Sequence, residues 1–145
     1  MKSSAIAHLL LICSILPGQA LAHATIATGE PADVSKAGLA VGASYNQPTR
    51  AVADAQALKL CRAYEEAPQQ TRDLCKIVGR FDNRCLAVAV DPHPSTYGYG
   101  WAILDTKIEA DQVAMTNCRA TAREEAGACV ATLSQCDTTP PVAHN

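Results

Sequence analysis

The sequence is poor in aromatic residues, in basic charge and in long apolar runs, and each shortage excludes a class of protein. Aromatic residues make up 4% of the 145 residues, and 12 Lys and Arg residues are outnumbered by 14 Asp and Glu residues. A net charge of −2 gives no electrostatic basis for binding nucleic acid or an anionic membrane. No apolar run reaches the ~20 residues that a membrane-spanning helix needs. We therefore expect no nucleic-acid partner and no stable membrane anchor.

Sequence motifs for common catalytic and metal sites are also absent. The chain contains no Gly-x-Ser-x-Gly nucleophile motif, no Cys-x2-Cys zinc pair and no calcium-binding loop. Of the histidines outside the first 22 residues, His93 lies between two prolines and His144 lies next to the C-terminus. Such positions are typical of solvated loop histidines rather than catalytic bases. The sequence therefore predicts no metal, no other cofactor and no catalytic residue.

Residues 1–22 have the pattern of a secretory signal peptide. One basic residue, Lys2, precedes an apolar run from Ala5 to Leu16, and Ala20-Leu21-Ala22 forms a cleavage site of small residues. We expect cleavage before His23. The mature protein is then periplasmic or secreted.

One stretch of the sequence occurs twice and organises the rest of the chain. Ala53–Ala63 and Ala110–Ala120 repeat alanines, an aspartate, a cysteine and an arginine at a constant offset of 57 residues. A threonine precedes each copy at the same offset and predicts a helix N-cap. The duplication therefore predicts two equivalent helices, Thr49 to about Ala67 and Thr106 to about Ala122.

Apolar runs bounded by turn residues predict the strands. They are Gly38–Ser44, Leu74–Phe81, Cys85–Val90, Tyr97–Leu104 and Cys129–Gln135. Residues 23–37 are interpreted as a flexible linker or an edge strand, and residues 137–145 as a disordered tail. Residues 38–136 then form one α+β domain built from two strand–strand–helix–strand copies. We expect five to six mostly antiparallel strands with the two helices on one face.

Cysteine usage supports export and predicts disulfide bonds. Six of the seven cysteines remain after removal of the signal peptide, an even number typical of oxidising compartments. If the two copies fold alike, equivalent cysteines pair in the same way. One pairing scheme satisfies this condition and keeps the loops that the bonds close short. It predicts the bonds Cys61–Cys75, Cys118–Cys129 and Cys85–Cys136, the last of which would join the two copies.

The chain resembles a family of small exported bacterial domains. The resemblance is carried by two A-x-x-x-A-[LM]-x-x-C helices, by F-x-N-x-C-x-A-x-A between them and by Y-G-Y-G-W before the second helix. Over Gly38–Cys136 this pattern resembles the DUF4189 family. The family's opening G-A-I-A strand is blurred here, and the first copy lacks the glycine and aromatic residues before its helix. The resemblance implies a duplicated, disulfide-linked export domain and supplies no reaction or substrate.

Acidic residues provide the main alternative to a binding function. Asp54 and Asp111 occupy equivalent positions in the two copies, and the pairs Glu65-Glu66 and Glu124-Glu125 follow the two helices. A glycoside hydrolase needs two carboxylates that face one cleft. Paired acids from the two copies are therefore the enzymatic hypothesis, although acids on helix surfaces are more often solvated.

Three of the six aromatic residues lie in the segment Tyr97-Gly98-Tyr99-Gly100-Trp101. On a strand, Tyr97, Tyr99 and Trp101 share one face. If a helix covers that face, the three side chains belong to the core. If the face is open, they form a binding surface of the kind found at protein interfaces.

The sequence thus favours an exported, non-catalytic domain that binds another protein in the periplasm or outside the cell. An inhibitor or immunity protein that acts in the bacterial envelope is the most concrete form of this hypothesis. The alternatives are a secreted hydrolase with paired carboxylates and a secreted factor directed at a host.

Overall fold

The computed structural model of the chain describes residues 22–93, 97–122 and 128–137. The predicted signal peptide lies outside the described residues except for Ala22, and the predicted tail lies outside them except for Asp137. Glu124, Glu125 and His144 also lie outside them. Within the described ranges, no helix is both long enough and apolar enough to cross a membrane.

The described chain consists of two halves with the same order of main elements. The first half contains β1 (His23–Gly29), α1 (Val34–Ala37), β2 (Ala40–Gln47), α2 (Arg50–Arg62), α3 (Gln69–Arg72) and β3 (Lys76–Phe81). The second half contains β4 (Cys85–Val90), β5 (Tyr99–Leu104), α4 (Lys107–Thr121) and β6 (Val130–Cys136). The predicted strand–strand–helix–strand repeat is confirmed, and the first half has two additional short helices.

Each half forms its own three-stranded antiparallel sheet. The strand orders are β2-β1-β3 and β5-β4-β6, so the first strand of each half is the central one. This confirms a disulfide-linked α+β fold with antiparallel strands. The placement of both helices on one face of a single sheet is corrected, because α2 packs on the first sheet and α4 packs on the second.

The two sheets pack against each other through the faces that the helices leave uncovered. Strand β4 shows why, since Cys85, Ala87 and Ala89 pack against α4 while Leu86 and Val88 point the opposite way. All six strands contribute to the cluster between the sheets, which contains Ala24, Ile26, Phe81, Leu86 and Val88 with Val41, Ala43, Tyr45, Val78, Trp101, Ile103 and Leu133 around them. The layers are therefore helix, sheet, sheet and helix.

Small residues let each helix lie close to its sheet. The fully buried positions are Ala53, Ala57 and Cys61 in α2 and the equivalent Ala110, Ala114 and Cys118 in α4. A β-carbon at Gly42 would overlap the backbone of Ala57 and Cys61, and one at Gly100 would overlap the backbone of Ala114 and Cys118. Gly42 and Gly100 are therefore structural equivalents. Residues of β2 and β5 thus correspond at an offset of 58, whereas residues of α2 and α4 correspond at an offset of 57.

The N-terminal segment 23–37 is neither a linker nor an edge strand, because it contains the central strand β1. Ala24 and Ile26 pack between the sheets, whereas Ala27 packs under α2. The hydroxyl of Thr25 donates a hydrogen bond of 2.9 Å to Asp54 on α2. Apart from Ile26, the buried side chains of β1 are short and some are polar, so its sequence resembles that of a linker although both faces of the strand are buried.

The helices begin where the threonines predict. The Thr49 hydroxyl accepts a hydrogen bond from the backbone N–H of Val52, and the Thr106 hydroxyl accepts one from Glu109, both at 3.2 Å. Helix α2 ends at Arg62, before the predicted Ala67, because the following residues turn back to pack beneath the helix.

All three predicted disulfide pairs are present. Cys61–Cys75 and Cys118–Cys129 each connect the end of the long helix to the residue before the last strand of its half, with Cα–Cα distances of 6.0 and 6.2 Å. Cys85 and Cys136 are direct partners across the β4–β6 ladder. This third bond lies within the second sheet and does not join the two copies as expected, because Cys85 begins the second half rather than ending the first.

Asp137, the first residue of the predicted tail, is fully buried and fixes the end of β6 to both halves. Its backbone N–H donates to the carbonyl of Arg84 at 2.8 Å. Its carboxylate accepts from the backbone N–H of Asn46 at 2.7 Å, at the end of β2. Asp137 is therefore part of the folded domain.

Candidate binding cleft

A cleft of about 1010 Å³ lies between the edge strands β2 and β6. Strand β3 packs over β5, because a β-carbon added at Gly79 would contact Ile103 and lie near Trp101. The opposite edges of the two sheets, β2 and β6, therefore lie on the same side of the molecule. The hydrogen bond between Asn46 and Asp137 joins these edges at one end.

The lining of this cleft is mainly apolar, with three tyrosines and two glutamates. The apolar lining residues include Leu39, Val41, Leu60, Val88, Val90 and Leu133. The polar ones include Tyr45, Tyr64, Tyr97, Glu65 and Glu66. Residues from both sheets and from the end of α2 thus form one surface.

The three tyrosines are held in distinct environments. The ring of Tyr45 packs edge-to-face against Phe81 with centroids 5.9 Å apart, and burial raises the pKa of its hydroxyl. Tyr64 donates a hydrogen bond of 2.7 Å to Glu66. Burial also raises the pKa of Tyr97. A hydrogen bond from the backbone of Leu39 acts in the opposite direction and lowers this pKa, but its effect is smaller. Burial likewise raises the pKa of Tyr64, so all three hydroxyls are neutral at physiological pH, although that of Tyr45 is buried and that of Tyr64 already donates to Glu66.

The residues of the aromatic segment Tyr97-Gly98-Tyr99-Gly100-Trp101 are divided between the core and two clefts. Trp101 packs in the cluster between the sheets. Tyr97 lines the large cleft, and its other side borders a smaller cleft of about 220 Å³. Tyr99 lines only that smaller cleft and donates a hydrogen bond to Glu30. The face is thus partly core and partly surface.

The equivalent aspartates attach each helix to its own sheet. Asp54 accepts hydrogen bonds from Thr25 at 2.9 Å and from both Nε and Nη2 of Arg80 at 3.0 and 2.9 Å. The bonds from Arg80 are the main reason that the pKa of Asp54 is lowered. Asp111 accepts from Ser134 and from Lys107, and the bond from Ser134 is the main reason that its pKa is lowered.

These two aspartates do not face a common cleft. Helices α2 and α4 lie on opposite outer faces of the molecule, so both sheets separate Asp54 from Asp111. Glu65 and Glu66 are the only two of the candidate acids that line the large cleft among the residues described. The paired-carboxylate geometry of a glycosidase is therefore not formed by Asp54 and Asp111.

The described histidines are held by aspartates. His23 lies 2.9 Å from Asp82 and His93 lies 2.9 Å from the buried Asp91, each through Nδ1. No group of three or more His, Cys, Asp or Glu side chains suited to a metal ion occurs within the described ranges. The surface best suited to interaction is the large cleft.

The outer edge of β5 is covered by two polar side chains of α4. The Thr121 hydroxyl accepts a hydrogen bond from the backbone N–H of Tyr99 at 2.9 Å and donates one to its carbonyl at 2.6 Å. Asn117 donates to the carbonyl of Trp101 at 3.1 Å. This edge strand therefore has side-chain partners for the groups that face away from β4.

The corresponding edge of β2 lacks these partners. At the helix offset of 57, Asn117 and Thr121 correspond to Leu60 and Tyr64, which line the large cleft. At the strand offset of 58, Tyr99 and Trp101 correspond to Val41 and Ala43. In the part of the chain that the structure describes, no side chain hydrogen-bonds to the backbone of Val41 or Ala43.

Leu60 and Tyr64 are two of the cleft residues that the sequence patterns do not single out. Both lie in or just after the duplicated helix, where the two copies agree at the alanines, the aspartate and the cysteine. Their departure from the second copy, Leu for Asn and Tyr for Thr, was the available signal. It gains its meaning only once the helix is seen to lie beside the sheet edge.

Comparison with known proteins identifies the family alone. Neither the curated proteins nor the solved structures include a significant match to this chain. The model of one family, described as a domain of unknown function (DUF4189), matches residues 23–136. This range begins at the first residue of β1 and ends at the last residue of β6, so it includes both halves of the fold. The chain therefore belongs to the DUF4189 family.

Proposed function

We propose that this protein is an exported, non-catalytic binding domain that holds a segment of another protein in the cleft between β2 and β6. The observation that carries the proposal is the cleft itself, which combines an apolar lining from both sheets with the three tyrosines Tyr45, Tyr64 and Tyr97. Tyrosine combines a large apolar surface with a hydroxyl that can donate a hydrogen bond, and it is enriched at protein interfaces.

Export is supported by the disulfide bonds. Each half carries a bond from its long helix to the segment before its last strand, and a third bond joins β4 to β6. Stable disulfides are typical of oxidising compartments such as the bacterial periplasm or the extracellular space. The signal-peptide pattern of residues 1–22 points to the same destination.

The finer form of the proposal concerns the partner. A small domain with three disulfide bonds and a preformed cleft loses little conformational entropy when it binds, which suits an inhibitor. We propose that the partner is a toxin or hydrolase that acts in the bacterial envelope, and that binding inhibits it.

The proposal is tested by affinity capture with the oxidised protein comprising residues 23–145. Envelope extracts of the producing bacterium are passed over wild type, Leu60→Asp and Val113→Asp. The last two replace apolar side chains that are both 40% exposed, but only Leu60 lines the cleft. We expect a specific partner to be captured by wild type and Val113→Asp and to be lost with Leu60→Asp.

Two outcomes would contradict this proposal. Equal capture by all three proteins would place the binding surface outside the cleft. The absence of any specific partner for wild type would remove the support for a binding function in the envelope. Far-ultraviolet circular dichroism and urea unfolding of each variant verify that the comparison is made between folded proteins.

A further inference from the structure

We infer that the partner binds by adding an extended strand to the open edge of β2, with a Lys or Arg side chain placed beside Glu65 and Glu66. This inference rests on the proposed function of the cleft and specifies the chemistry of its ligand. It depends on the backbone of β2, on the difference between the two halves and on the charge of the cleft.

The first step concerns the direction of the backbone groups on β2. Gly42 pairs with Ala27 in the first sheet as its equivalent Gly100 pairs with Ala89 in the second. Neighbouring residues of an antiparallel strand direct their N–H and C=O groups to opposite sides. Val41 and Ala43, the equivalents of Tyr99 and Trp101, therefore direct theirs away from β1.

A hydrogen bond on the same strand supports this direction. Tyr45 lies two residues beyond Ala43, so its carbonyl points to the same side. Gln47 donates a hydrogen bond of 2.8 Å to that carbonyl from its own side chain. The outward groups of Val41 and Ala43 come immediately before it on the strand.

The second step is the difference between the halves. In the second half, Asn117 and Thr121 bond to the outer edge of β5. In the first half, the equivalent Leu60 has no polar group, and the hydroxyl of the equivalent Tyr64 donates to Glu66 instead, so that both side chains line the cleft beside the edge. An unprotected edge next to apolar pockets is the arrangement through which folded domains bind extended peptides, since main-chain bonds supply affinity and alternate side chains fill pockets.

The third step identifies the kind of strand that fits. The cleft lining contains Glu65 and Glu66 and, among the described residues, no Lys, Arg or His. A basic side chain on the incoming strand would complement them. A second copy does not supply this charge from its own β2, whose sequence AVGASYNQ contains no basic residue. The C-terminal segment TTPPVAHN likewise has no Lys or Arg, and its two prolines lack the N–H groups of a strand. Neither of these two segments therefore supplies the basic side chain, and we infer a segment of a different protein as the occupant.

The probe for the first test is a displayed library of random peptides of about ten residues, selected on the oxidised protein comprising residues 23–145. We expect the selected peptides to alternate apolar residues and to include a Lys or Arg. Each selected peptide is then synthesised with single N-methyl groups along its backbone. N-methylation at every second residue should weaken binding about tenfold or more, whereas N-methylation at the intervening residues should have little effect.

Variants of the protein provide the second test. The double variant Leu60→Asn/Tyr64→Thr installs the side chains of the second half beside β2, and it should reduce peptide affinity about tenfold or more. The matched control is Gln56→Asn, also on α2, which should bind as wild type does. Replacing both glutamates, Glu65→Gln/Glu66→Gln, should abolish the preference for peptides with a Lys or Arg while leaving the N-methylation pattern intact.

The outcomes separate this inference from the proposed function. If a partner is captured through the cleft but its binding segment tolerates N-methylation at every position, the binding function stands and strand addition is wrong. If no selected peptide and no captured protein is sensitive to Leu60→Asp, both are wrong. Concentration-dependent dimerisation, or stronger peptide binding after deletion of residues 138–145, would assign the edge to a second copy or to the C-terminal segment and overturn the inference.

Discussion

At the scale of single residues, short polar side chains connect the outer helices to the sheets. Asp54 and Asp111 are equivalent in sequence, and both accept hydrogen bonds from a hydroxyl of their own sheet and from a basic side chain. The duplication predicted their equivalence. It could not predict their partners, because Thr25 lies in a segment that the sequence predicts only as a linker or an edge strand, and Ser134 becomes a neighbour only through folding.

The pH dependence of stability tests the role of Asp54. Its pKa is lowered in the folded protein, so its stabilisation is complete above the unfolded value of ~3.9 and is lost as the pH falls through the folded value. The substitution Asp54→Asn should lower the free energy of unfolding by about 1–2 kcal/mol at pH 7 and flatten its decline between pH ~5 and pH ~2. Urea unfolding over this pH range measures both effects.

The exposed ion pair between Arg84 and Asp105 provides the control for that experiment. The Asp105 side chain is 82% exposed, and surface pairs of this kind contribute little to stability. Asp105→Asn should therefore leave the free energy of unfolding near the wild-type value. If Asp54→Asn behaves in the same way, Asp54 does not anchor α2.

The position of Trp101 predicts a cost in stability. Since its side chain packs between the two sheets, Trp101→Ala should lower the free energy of unfolding by about 3 kcal/mol. Tyr99→Phe, which removes only the hydrogen bond to Glu30, should cost less than about 1 kcal/mol. Chemical denaturation of both variants provides the comparison. A fully stable Trp101→Ala protein would show that Trp101 is not part of this core.

At the scale of elements, local signals predicted most helices and strands. The N-cap threonines set the starts of α2 and α4, and the apolar run Cys85–Val90 matches β4 at both ends. Strand β1 is hard to predict as a central strand because, apart from Ile26, its buried side chains are small or polar. The division of the strands into two sheets depends on long-range pairing, which no local pattern records.

The candidate site was predictable only in part. Tyr97 was identified from its aromatic segment, and the structure places it at the large cleft. Leu60 lies in α2 and Tyr64 lies just after it, beside the alanines, the aspartate, the cysteine and the arginine that the two copies share. Their importance depends on the open edge beside them, and that edge is defined by the fold.

The cover over the edge of β5 gives a prediction for Thr121. Thr121→Val removes the hydroxyl that bonds to the N–H of Tyr99, so amide exchange at Tyr99 should accelerate about tenfold. Thr116→Val is the matched control, because that hydroxyl bonds to Gln112 within the same helix and does not contact the strand. Hydrogen exchange followed by nuclear magnetic resonance measures the difference. Unchanged exchange at Tyr99 would mean that Thr121 does not protect the edge.

At the scale of the whole molecule, the three disulfides differ in the length of chain that they close. The Cys85–Cys136 bond spans 51 residues, whereas Cys118–Cys129 spans 11. In the chain-entropy model, removing the longer link as Cys85→Ser/Cys136→Ser should cost about 4 kcal/mol, and removing the shorter link as Cys118→Ser/Cys129→Ser should cost about 3 kcal/mol. Urea unfolding of the two variants tests this order, and the reverse order would contradict it.

The two halves share one architecture and differ at one sheet edge. Each half supplies a sheet, a covering helix and a disulfide bond from that helix to the segment before the last strand. The second half covers the outer edge of β5 with polar side chains, whereas the first half leaves the edge of β2 beside an apolar cleft. The duplication therefore provides stability, and the departure from it provides the candidate binding site.

The central claim is that the edge of β2 is open in the free protein. Native-state amide exchange of the oxidised protein, without any ligand, measures this directly. We predict that the amides of Val41 and Ala43 exchange at least about tenfold faster than those of Gly42 and Tyr99, because only the latter two have hydrogen-bond acceptors. Protection of Val41 and Ala43 equal to that of Tyr99 would show that the edge is already paired, and it would contradict the account.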